Sequence, residues 1–285
     1  MRYLRWTGVV ALTLWAGSAA AAPRHVRVAF MSDASTSVGI AWNAAAGVTD
    51  ATVQYGTKPG VYTGSATGKA THLGSVLGSV SEVTLTGLTP ATTYFYRVGG
   101  PKGYSAEHSF TTGPVPHAQC GELRFVVAGD MRAEKFEGDK GVSDVWAKLL
   151  ARALLLKPAF VINGGDLLYE AASAKQWDNY LKATATVSGS LPIMHCLGNH
   201  DTGPGQGDGA TYNKLVHQPR AGKALGGSGT EDHYYLLYGH AIVVVLSTSS
   251  FSGGAIPFKQ QAEWMDKVLT AHPRRWRFVV LHHPI

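Results

Sequence analysis

The sequence predicts two layered domains in tandem, an all-β sandwich followed by an α/β sandwich. Residues 24–112 break into short segments of alternating or β-rich composition with turn residues between them. From Leu123 onward, short apolar runs alternate instead with amphipathic stretches of helical period. Four of those runs stop directly on polar motifs. That places the motif side chains just past the carboxyl ends of neighbouring strands, where layered α/β sheets build their sites.

Taken in order, the chain opens with Arg2 and Arg5, an apolar stretch over 6–15 and small residues up to Ala22. Residues 1–21 are therefore expected to be a signal peptide, with the protein secreted or periplasmic. No cysteine follows the apolar stretch and no later run is long enough to span a bilayer, so no membrane anchor is expected. Without Arg2 and Arg5 the formal net charge falls from +6 to +4. The remaining Lys and Arg are scattered, which argues against nucleic acid as a partner.

Segments 26–30, 37–42, 51–55, 81–85 and 94–98 read as sandwich strands, with Trp42 as the core aromatic. The run Leu88-Thr89-Pro90-Ala91-Thr92-Thr93-Tyr94 is similar to the tyrosine-corner turn of fibronectin type III-like domains, which makes 22–112 a fibronectin type III-like unit. Nothing in it has the residue types needed for catalysis; its expected role is to pack against the second domain. Residues 113–122, opening Gly113-Pro114-Val115-Pro116, read as a linker. Two cysteines remain, and Cys120 could pair with Cys196. The position of Cys196 at the end of a core strand fits a small buried hydrophobe equally well.

Residues 123–285 alternate strands at 123–128, 160–162, 193–197 and 278–281 with helices over 142–156, 175–186 and 257–271. Asp130 and Asp166 are 36 positions apart, and Asp166 and Asn199 are 33 apart, each interval fitting one βαβ unit. The motifs are Gly129-Asp130, Gly165-Asp166-Leu167-Leu168-Tyr169, Gly198-Asn199-His200-Asp201 and Val279-Val280-Leu281-His282. A carboxylate on a glycine turn, such as Asp166, can give one oxygen to each of two cations about 3.5–4 Å apart. Asp130 would then hold one cation terminally and the Asn199 carbonyl oxygen the other. Oxygen donors with imidazole suit Fe, Zn or Mn. Tyr169 is unusual, because a phenol of ordinary pKa about 10 ionises readily only on a strongly acidic cation such as Fe(III).

This ordered set resembles the purple acid phosphatases, within the calcineurin-like metallophosphoesterases, whose pattern runs Asp motif, GDxxY, GNH-acid, VxxH and finally GHxH. The sandwich in front matches the two-domain layout of that family. The resemblance implies a dinuclear centre of Fe(III) plus a divalent Fe, Zn or Mn. It implies that Asp130 and Tyr169 bind the Fe(III), that Asp166 bridges, and that Asn199 and His282 bind the divalent metal. It implies that His200 donates to the leaving group or a phosphate oxygen, with Asp201 orienting it. The implied activity is that of an exported, metal-dependent phosphoric ester hydrolase of acid phosphatase type. It would cleave small phosphate monoesters at acid pH by metal-hydroxide attack. A phosphodiesterase on the same scaffold and a catalytically dead extracellular binding protein are the alternatives.

Two departures stand out. Met131-Arg132 follows Asp130 where many calcineurin-like enzymes place a His ligand two residues on. Arg132 cannot ligate a cation and is read as a phosphate contact or a salt-bridge partner. No GHxH motif follows His282-His283-Pro284, and Gly239-His240-Ala241-Ile242 lacks a second His. The domain is therefore read as truncated before that motif, and residues 1–285 alone are expected to bind metal weakly and turn over poorly. His283 is read as a supporting residue. In the Gly-rich stretch 202–230, Tyr212, His217 and Arg220 are weaker candidates for substrate contact.

Overall fold

The computed structural model describes residues 22–116, 121–133, 141–142, 144–202, 210–220, 222–248 and 257–284. The expected signal segment and Cys120 lie outside them.

The first half is a β-sandwich. Its strands are β1 (Arg24–Phe30), β2 (Val38–Ala44), β3 (Thr52–Gly56), β4 (Gly64–Thr67), β5 (Lys69–His72), β6 (Ser79–Leu85), β7 (Thr93–Gly100), β8 (Gly103–Tyr104) and β9 (His108–Thr111), with a single helical turn α1 (Gly74–Leu77) before β6. One sheet runs β1-β2-β6-β5; the other runs β4-β3-β7-β8, with β9 also pairing β7. Alternate residues Val53, Val83, Leu85, Tyr94, Tyr96 and Val98 point between the sheets with Ile40 and the fully buried Trp42, as a period of two demands. The Tyr94 hydroxyl accepts from the Thr89 N–H at 2.9 Å. That is the backbone-directed bond of a tyrosine corner.

The second half holds two further sheets. Strands β10 (Phe125–Ala128), β11 (Phe160–Asn163) and β12 (Ile193–His195) form a parallel sheet, with helices α2 (Val145–Leu155) and α3 (Ala174–Ser188) as its crossovers. A short helix α4 (Tyr212–Leu215) leads to the hairpin β13 (Tyr234–Tyr238) and β14 (Ala241–Val245). Helix α5 (Phe258–Ala271) then carries the chain to β15 (Trp276–Val280), parallel to β14. The helices sit within a few residues of the spans their periodicity predicts. Ser173 caps α3 by accepting from the Gln176 N–H at 3.3 Å, and Pro257 opens α5.

The two halves share one apolar core. Val28 and Phe30 of the sandwich belong to the same buried cluster as Phe160, Ile162, Met194, Tyr234 and Val243, with the Phe30 ring 6.1 Å from Phe160 and 5.7 Å from Tyr238. Backbone bonds cross as well: Ala34 N to Leu237 O at 3.1 Å and Leu237 N to Ser32 O at 2.8 Å. Side chains add Tyr96 Oη to Gly189 O at 2.7 Å and Ser188 Oγ to Val26 O at 2.8 Å. The sandwich thus backs the parallel sheet as a fixed layer rather than a tethered module.

Candidate metal centre

The site forms where β10, β11, β12 and β15 end. After β10 and β11 the chain makes two matched turns, knitted by Gly164 N to Ala128 O (2.8 Å), Asp130 N to Gly165 O (3.0 Å) and Arg132 N to Asp166 O (3.1 Å). Asp130 and Asp166 both take the left-handed conformation, each at φ 54°. That region costs a side-chain-bearing residue on the order of 1–2 kcal/mol, and such strain concentrates at functional turns. The glycine of the third motif has a steric reason. A Cβ at Gly198 would collide with the backbone N and Oδ1 of Asp166, so only glycine lets the turn after β12 close on that carboxylate.

Asp166 is the hub and is 2% exposed. Its Oδ1 accepts from the His200 N–H at 3.0 Å and faces His282 Nε2 at 3.2 Å. Its Oδ2 accepts from Arg132 Nε at 3.0 Å, with His200 Nε2 4.0 Å away. Burial pushes this carboxyl up, but the His282 and His200 contacts outweigh it and hold it below its ordinary value. His282 moves the other way. The Asp166 hydrogen bond, working against burial, raises it to about 9. Its Nδ1 donates to the Gly164 carbonyl at 3.0 Å, which fixes the ring and turns Nε2 toward the carboxylate. A backbone carbonyl holding the far ring nitrogen is how metal-ligating histidines are usually oriented.

Asp130, Asp166 and His282 each offer one donor atom, and these atoms all lie within 4.8 Å of one another. A proton shared between His282 and Asp166 in a buried place is what a cation would displace, so the donor set fits a metal. Oxygen donors with one imidazole suit Fe, Zn or Mn. His200 stands beside them. Its Nδ1 donates to the Tyr169 carbonyl at 2.7 Å, leaving Nε2 on the site side. The Tyr169 ring lies 5.0 Å from the His200 ring and 5.8 Å from the Arg132 guanidinium carbon. Asn199 is half-buried in the same turn, its backbone carbonyl accepting from Thr202 N at 3.3 Å.

Asp201 sits differently from its expected place beside the His200 ring. Residues 200–202 form one tight 3-10 turn that sends the Asp201 carboxylate inward. There it accepts from the N–H groups of Asp166 (3.0 Å), Leu167 (2.9 Å) and Gly198 (2.8 Å). Burial pushes this acid up to about 7 despite those donors. It clamps the second motif to the third.

Some supporting residues carry no local sequence signal. Asn163 is fully buried, accepts from Gly165 N at 3.1 Å and donates to Tyr180 Oη at 3.2 Å. Thr248 Oγ1 bonds His283 Nδ1 at 2.8 Å, in keeping with a supporting part for His283. Of the three weaker candidates, Tyr212 and His217 face the core and the sandwich, while Arg220 stays exposed and is held by a buried carboxylate. Tyr212 is buried and bonds the His195 carbonyl, His217 bonds Thr84 Oγ1, and Arg220 pairs with Glu231 at 2.7 Å. The buried Cys196 thiol points at the Leu246 carbonyl, 3.4 Å away.

Comparison with known proteins agrees with this geometry. The family model described as calcineurin-like phosphoesterase matches residues 123–285, so the chain belongs to that family. The model of the purple acid phosphatase N-terminal domain matches residues 23–112, and most of the relatives found are named as purple acid phosphatases. Probable purple acid phosphatase 20 of Arabidopsis thaliana is 27% identical over 86% of this chain and 55% of its own length. Probable inactive purple acid phosphatase 1 of the same plant is 28% identical over 44% of this chain and 22% of its own length. Among solved structures, purple acid phosphatase PPD1 from yellow lupin superposes with a TM-score of 0.73 at 19% identity, covering 91% of this chain and 50% of that one. The chain thus spans about half the length of the purple acid phosphatases it matches over most of its own length.

Proposed function

We propose that this protein is an exported phosphatase with a dinuclear metal centre, Fe(III) plus a divalent metal, that hydrolyses phosphate monoesters at acid pH. The convergence of Asp130, Asp166 and His282 carries this reading. Asp166 would bridge, Asp130 and Tyr169 would hold Fe(III), and Asn199 and His282 the second metal. Two cations there would supply Lewis-acid activation and charge neutralisation at the phosphoryl group. The chain's own side chains do the rest. His200 has Nδ1 committed to a carbonyl and presents Nε2, a donor when protonated, to the leaving-group oxygen. Arg132 is bound to Asp166 Oδ2 through Nε and has its guanidinium edge for a phosphate oxygen. Asp201 holds the two motif turns at fixed spacing, and the sandwich, read as fibronectin type III-like, buttresses the sheet from behind.

The test is hydrolysis of p-nitrophenyl phosphate and bis(p-nitrophenyl) phosphate, side by side from acid to neutral pH, after loading with iron and zinc or manganese. The expected result is metal-dependent cleavage of the monoester with an acid optimum, slow for residues 1–285 alone and abolished by Asp166→Asn. Preferred cleavage of the diester would make the protein a phosphodiesterase. Tight metal binding without hydrolysis of either would favour a binding protein.

A further inference from the structure

The seam between the sandwich and α3 contains a buried arginine that no carboxylate touches. From β1, Arg27 donates through Nε to Leu215 O at 2.8 Å and through Nη1 to His25 O at 2.9 Å and Asn43 Oδ1 at 2.8 Å. All three acceptors are neutral. Its Nη2 is buried and has no hydrogen-bond partner among the described residues. The other cations nearby do touch carboxylates: Arg24 and Lys182 share Asp178, at 2.5 Å and 2.6 Å, and Arg220 pairs with Glu231 at 2.7 Å. Glu82 lies 3.8 Å from His217 Nδ1, and its carboxylate reaches Arg27 only through its field. A buried guanidinium without a counter-charge in contact is costly unless something else supplies one.

His195 brings a second donor. Asn163 Nδ2 donates to Tyr180 Oη, so the hydroxyl proton of Tyr180 goes to His195 Nε2 at 2.9 Å. In the neutral ring the remaining proton then sits on Nδ1. That nitrogen, on a side chain 8% exposed, has no hydrogen-bond partner among the described residues. Arg27 and His195 line the same small cavity, which has ≈ 20 Å³ of free space. One water-sized guest needs about 10–15 Å³, so the space suits a single compact guest and is too small for a phosphate ester. Arg27 is the one cation among the residues that line it. Burial, with Arg27 adding to it, pushes His195 down to about 3 and His217 to about 4, so neither is a cation competing for the guest.

We propose that this cavity binds one small monovalent anion, chloride, between Arg27 Nη2 and His195 Nδ1, and that the anion fastens the sandwich to the α/β half. The site is separate from the metal centre and stands whether or not the chain is a phosphatase.

Crystals grown in bromide test it directly. An anomalous peak between Arg27 and His195 is the expected result; a water there, with no anomalous signal, overturns the proposal. In solution, replacing methanesulfonate by chloride at constant ionic strength should raise the Tm by about 3 °C at ten times the dissociation constant, and Arg27→Met should abolish the rise. An equal rise in that variant, or none in the wild type, also overturns it. Should Arg27→Met fail to fold, the bromide experiment on the wild-type protein decides alone.

Discussion

The Gly-Asp turn occurs twice, after β10 and after β11, with the same φ at the aspartate and opposite surroundings. Asp166 follows a central strand buried along its whole length, and four residues from three other segments grip it. Asp130 follows an edge strand with Val127 56% exposed, and is itself exposed. One local motif therefore yields a rigid, electrostatically loaded carboxylate in one place and an open carboxylate in the other. Position in the sheet decides which. This division suits a shared centre, in which one carboxylate must be fixed before any cation arrives and the other can close on it.

Several substitutions would break or sharpen that contrast. The largest effect is expected from Asp166→Asn, which should weaken metal affinity by more than about 100-fold. Asp130→Asn should cost closer to about 10-fold, both read by calorimetric titration. Equal losses at the two positions would erase the distinction. Next comes Asp201→Ala, which strands three buried N–H groups and should destabilise the metal-free protein by about 3 kcal/mol in denaturant unfolding. Smaller is the effect of pH on the metal-free protein. The raised His282 contributes stability that is fully present below pH 6.5 and is lost as pH rises through about 9. Urea midpoints measured across that window should fall for the wild type and stay flat for Asp166→Asn. Smallest is Asp130→Gly, where relief of the left-handed strain offsets the added freedom of the unfolded chain. Its stability should change by less than about 1 kcal/mol.

The strand ends and the glycine-flanked donor residues beyond them were legible in the sequence because each is a local pattern: an apolar run, a turn residue, a donor. Trp42 and the Tyr94 corner were legible for the same reason. What failed was whatever depends on partners far along the chain. Tyr212, His217 and Arg220 look like binding residues in a Gly-rich stretch, yet their partners are His195, Thr84 and Glu231. The inward turn of Asp201 follows from a 3-10 geometry that the four letters of its motif do not specify. Strand β13 is hidden behind that same Gly-rich stretch, whereas Gly239-His240-Ala241-Ile242 already reads as the start of a strand, its companion β14. Asn163 reads as the end of a strand, whereas its side chain supports Gly165 and Tyr180.

The central claim is that a cation replaces the proton held between His282 and Asp166. Calorimetric titration of zinc into the protein at pH 7.5, repeated in buffers of different ionisation enthalpy, counts the protons released on binding. The account predicts about one proton per bound metal, lost in Asp166→Asn. Binding without proton release, or no binding at all, would contradict it.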